Sequence, residues 1–133
     1  MFKNIDIPLL FALTFHAIVF TQSGIDKIIN WSGNLSFTKE TLSEKFPKSL
    51  VVIALIAVLL LETIGGLSCL TGAIYAIYQP DYLLFAKTGL LGCGLALLLL
   101  LFGQRISQNY EDAKTIAIYF GVCLISLGIV FGG

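Results

Sequence analysis

Four long apolar runs alternate with short polar stretches along the chain. They are Ile7 to about Ile29, Ser49 to Tyr78, Tyr82 to Gly103, and Thr115 to Phe131. None shows the strict alternation of lipid-facing strands, which argues against a β-barrel. An α-helix rises about 1.5 Å per residue, so about 20 residues cross a hydrocarbon layer of about 30 Å. All four runs fall near that length or exceed it. The pattern predicts an all-α fold, a transmembrane four-helix bundle, with residues 1–133 as one membrane domain.

The first polar stretch, NWSGNLSFTKETLSEKFPK, carries a pattern of its own. Leu35, Leu42 and Phe46 fall on one helical face, while Lys39, Glu40, Ser43 and Glu44 lie elsewhere. This predicts a short helix on the membrane surface, with Trp31 at headgroup level and Pro47 ending the segment. A plain loop is the alternative. The second polar stretch, Gln104 to Lys114, is shorter.

Composition agrees with lipid as the solvent. Apolar residues make up 57% and charged residues 12%, against about half and a quarter in soluble domains. That excludes a soluble enzyme. Eight basic and eight acidic residues cancel, and no basic patch points to nucleic acid. The first apolar run reads as a retained helix, because only Lys3 precedes it and no A-x-A-like site follows. Cys69, Cys93 and Cys123 form no C-x-x-C pair and read as small apolar fillers. With His16 as the single histidine, no metal site is expected.

The polar linkers carry Lys27, Lys39, Lys45, Lys48, Arg105 and Lys114 on one side. The other side has Lys3, with Lys87 if it snorkels outward. The positive-inside rule therefore places both linkers in the cytoplasm and both termini outside.

Glu62 interrupts the second run. An ionised carboxylate is costly in hydrocarbon, so it should face the bundle interior, be paired, or be protonated. Gly66, Cys69 and Ala73 follow it at helical spacing and mark a packed face. In the first run His16, Phe20, Ser23 and Lys27 share one side. If the lower turns of the second helix protrude, Glu62 is shallow enough to meet Lys27. If they do not, it lies at the depth of His16. Gly89, Gly92, Cys93 and Ala96 make a small-residue seam in the third helix, and Gly121, Gly128 and Gly132 repeat the idea in the fourth.

Three short patterns then line up: Gly24-Ile25-Asp26-Lys27, Glu62-Thr63-Ile64-Gly65-Gly66 and Gly103-Gln104-Arg105-Ile106-Ser107. Together they resemble the DoxX family of small four-helix bacterial membrane proteins, which shows G-x-x-K, E-x-x-G-G and G-P-G-R-x-S in that order. The usual proline and second glycine of the third pattern are missing here. The resemblance implies a multi-pass protein of the bacterial inner membrane, an accessory subunit near quinone or redox chemistry, and with the charge asymmetry above its termini are expected to be periplasmic. It carries over Gly24, Lys27, Glu62, Gly65, Gly66, Arg105 and Ser107 as family positions.

Two functions compete, and a third, a small transporter or channel, ranks last because four helices are few for a pore and no inverted repeat is visible. In the first, Glu62 and Lys27, with Ser23, His16, Arg105 and Ser107, bind a quinone or lipid or relay protons. In the second, the buried pair only fixes helix packing and docks the bundle to itself or to a larger complex. No catalytic motif or intrinsic cofactor site is visible, so an enzymatic activity is left open.

Overall fold

A computed structural model describes residues 5–42 and 46–132. Lys3 and Lys45, used for orientation, and Ser43 and Glu44 of the first linker lie outside the described residues. Five helices follow in order: α1 (Ile7–Ile29), α2 (Trp31–Leu42), α3 (Lys48–Tyr78), α4 (Leu84–Ile106) and α5 (Tyr110–Phe131). Among the described residues there is no strand. Four of the five are long and apolar enough to cross a membrane.

Each boundary has a local cause. Asp6 caps α1 by accepting from the Leu9 N–H at 3.1 Å, and Pro8 sits in the first turn, where a missing N–H does no harm. Pro47 precedes α3. The α3–α4 turn contains Pro80, and α4 starts two residues later than the hydropathy pattern places it. The last helix starts five residues earlier. Asn109 caps it, accepting from the Asp112 N–H and donating to the Asp112 carboxylate, while Glu111 and Asp112 suit the positive end of the helix dipole. Polar residues that look like linker by hydropathy are thus the first turn of α5. Gln104, where the third pattern lacks its proline, stays within α4, and the chain turns beyond it at Gln108 with φ 62°, a left-handed conformation that side chains tolerate poorly.

The stretch after Asn30 is helical, so a helix replaces the open choice between helix and loop. Trp31, Asn34, Leu35, Thr38, Lys39 and Leu42 recur at i, i+3, i+4 spacing and are half-buried. Phe46 lies beyond the helix end, and Lys39 shares the flank of Leu35 rather than a separate polar side.

The membrane helices pack mainly with their chain neighbours, α1 on α3, α3 on α4 and α4 on α5, with a weaker closure of α5 onto α1. That closure includes Phe15 edge-on to Tyr119, with centroids 6.1 Å apart. The interior holds Leu13, Phe20, Leu90, Leu97 and all three cysteines. The exterior is a coat of isoleucine, leucine and phenylalanine, with Ile18, Ile53 and Ile125 each more than 60% exposed. A face of that kind is stable only against lipid or another apolar partner.

Glycines set the helix separations. A Cβ on Gly66 would lie 2.7 Å from the Thr21 amide nitrogen, and one on Gly24 would lie 2.5 Å from the Thr63 hydroxyl. Between α3 and α4, Gly65 faces Cys93, Gly89 faces Cys69, and Gly92 lies beside Gly65. In α5 the expected seam is different: Gly121 and Gly128 have no neighbouring atom within 4 Å of where a Cβ would be, so they are not buried against this bundle.

Candidate functional site

The close contacts fix the relative depth of the helices. Thr63 lies beside Gly24, five residues before the end of α1, so Glu62, one residue earlier on the antiparallel α3, is about 6 Å in from that end. The first turns of α3 run on past α1, with α2 packed along α3 and Leu42 touching α4 near Gly103. This is the arrangement in which Glu62 is shallow, and it settles the open pairing geometrically. The Lys27 ammonium lies 2.9 Å from Glu62 Oε1.

The pair is buried. The Glu62 side chain is 2% exposed and that of Lys27 is 13% exposed. Lys27 also donates to the Ser23 hydroxyl at 2.9 Å, one turn earlier on α1. That ammonium, at 2.9 Å, is the charge partner of Glu62 Oε1. Two polar atoms nearby lack partners, the buried hydroxyls of Thr21 and Thr63. The site therefore combines a buried carboxylate with an ammonium that joins it to a hydroxyl. Such a group of atoms can hold a carbonyl or hydroxyl, or pass a proton.

His16 is not part of it. About 16 Å of helix separates it from Lys27. It is fully buried, stacked on Phe20 at 5.8 Å and edge-on to Phe15 at 5.3 Å, and its Nδ1 donates to the Ala12 carbonyl at 2.7 Å. Its Nε2 has no partner. Arg105 and Ser107 are also elsewhere. Arg105 is exposed and lies 4.8 Å from the centre of the Tyr110 ring, and Ser107 donates to the Gln104 carbonyl at 3.1 Å. Counting from the Gly65–Cys93 contact, Arg105 is about 13 Å beyond the level of Glu62. At the opposite end Lys87 lies 5.2 Å above the Phe131 ring.

Reading the sequence alone missed Thr21 and Gln22 on α1. The signal was present, two adjacent polar residues in an apolar run, but periodicity assigned attention to the other side of the helix. It also left the cysteines unconnected, whereas Cys69 and Cys93 bring their sulfurs to 4.0 Å and Cys123 donates to the Leu90 carbonyl at 3.5 Å. Comparisons with known protein families, curated proteins and solved structures return no match.

Proposed function

We propose that this chain is a DoxX-like subunit of a redox or quinone-linked complex in the bacterial inner membrane, and that its Lys27–Glu62 site takes the polar head of a quinone. The observation that carries the reading is the ion pair of Lys27 and the buried Glu62. A quinone carbonyl would accept from a spare N–H of Lys27, and the hydroquinone hydroxyl would donate to Glu62. The family reading rests on the three ordered patterns. The contact between the lysine of the first and the glutamate of the second adds support, while the third pattern stands apart from the site.

The test is binding of decylubiquinone to the purified protein in nanodiscs. The wild type should bind, and Glu62→Gln should lower affinity at least about tenfold, since one charge and one acceptor are lost. Equal binding by both proteins, or by neither, overturns the quinone site.

One observation favours a second reading, a purely structural pair. Gly24 against Thr63 and Gly66 against Thr21 clamp α1 to α3 in the turn just after Glu62, and the carboxylate is nearly sealed. Here the pair fixes helix register, and the chain docks as a packing subunit.

A further inference from the structure

Gln22 lies on the outward face of α1, exposed, and its side chain makes no hydrogen bond among the described residues. It is about 6 Å from the middle of the helix, within the hydrocarbon region. A primary amide there has no water to satisfy its donors and its carbonyl, which makes lipid alone a poor surrounding.

Gln22 belongs to a continuous seam. Phe11, Thr14, Ile18, Gln22, Ile25 and Ile29 follow steps of 3, 4, 4, 3 and 4 residues, and all six are exposed. Steps of three and four keep these residues on one stripe of the helix, the kind of stripe along which a second helix packs. The seam is not used inside the bundle. Thr14, Ile18, Gln22 and Ile25 of the seam themselves line a groove of about 390 Å³, with Thr21 in its lining and Leu70 and Ala73 of α3 as its far wall.

We propose that two copies of this chain associate through the outward faces of α1, with Gln22 of one copy hydrogen-bonded to Gln22 of the other. A lipid tail fills a groove but offers the amide nothing. A second copy inserted the same way offers a complete partner. A twofold axis along the membrane normal sets the two α1 helices side by side, parallel and at equal depth. Each amide then supplies a donor to its mate and accepts one in return. Ile18 and Ile25, one turn to either side, seat in the groove of the other copy. This association does not depend on what occupies the Lys27–Glu62 site.

Cross-linking in liposomes tests it. Cysteines are placed singly at Ile18, Gln22 and Ile25, and at Ile125 of α5 as a lipid-facing control, with the three native cysteines replaced by serine. Copper-phenanthroline oxidation should give dimers at 18, 22 and 25 and not at 125. In the native background, energy transfer between labelled copies should show association. Gln22→Leu should weaken it on the order of 3- to 30-fold with helix content unchanged, and Gln22→Asn, which keeps the amide, should retain more of it. Equal cross-linking at all four positions, a monomer at every protein-to-lipid ratio, or full association in Gln22→Leu overturns the proposal. If the serine background fails to fold, the energy-transfer comparison decides alone.

Discussion

At the residue scale the molecule turns on how one carboxylate is kept among apolar side chains. Lys27 neutralises Glu62, and Ser23 steadies Lys27. Removing one partner leaves the other charged and buried, whereas removing both removes the penalty as well. Lys27→Ala should therefore destabilise the bundle by about 3–5 kcal/mol, while Lys27→Met with Glu62→Met should come back to wild-type stability or exceed it. Refolding titrations in mixed micelles measure both. A double variant as unstable as the single one would mean that the pair does more than cancel charge. Glu62 was recognisable in the sequence because a charge inside an apolar run has few explanations. Its partner was not, since His16 and Lys27 share a helix face and only the relative depth of α1 and α3 separates them.

At the scale of elements, the glycines divide by what they touch. Gly66 meets backbone atoms of α1, which cannot step aside. Gly66→Ala should cost about 1–3 kcal/mol through overpacking. Gly121 and Gly128 face open space in α5, so Gly121→Ala and Gly128→Ala should leave stability unchanged or raise it by up to about 1 kcal/mol through helix propensity. The same micelle titration separates the two classes. In the sequence they looked alike, because a small residue at helical spacing shows that close approach is permitted and not whether a neighbour uses it. Helix α5 is also the least covered, with 17% of its apolar window buried against 33–39% in the other three.

At the scale of the whole molecule, four crossings place the α3–α4 turn on one side and the α4–α5 turn on the other. The positive-inside reading assigns the latter to the cytoplasm. Asp81→Cys should then react in intact cells with a membrane-impermeant thiol reagent, and Glu111→Cys only after the membrane is opened. The reverse pattern would invert the orientation while leaving the bundle intact. The sequence by itself determined that this chain is helical, crosses a membrane four times and buries a carboxylate, because run length and composition answer to the solvent before any helix has a neighbour. Only the tertiary structure decided that α3 overhangs α1, that Lys27 rather than His16 reaches Glu62, and that Arg105 stands apart. Those outcomes depend on axial offset between helices, which backbone contacts at Gly24 and Gly66 fix and which no single helix encodes.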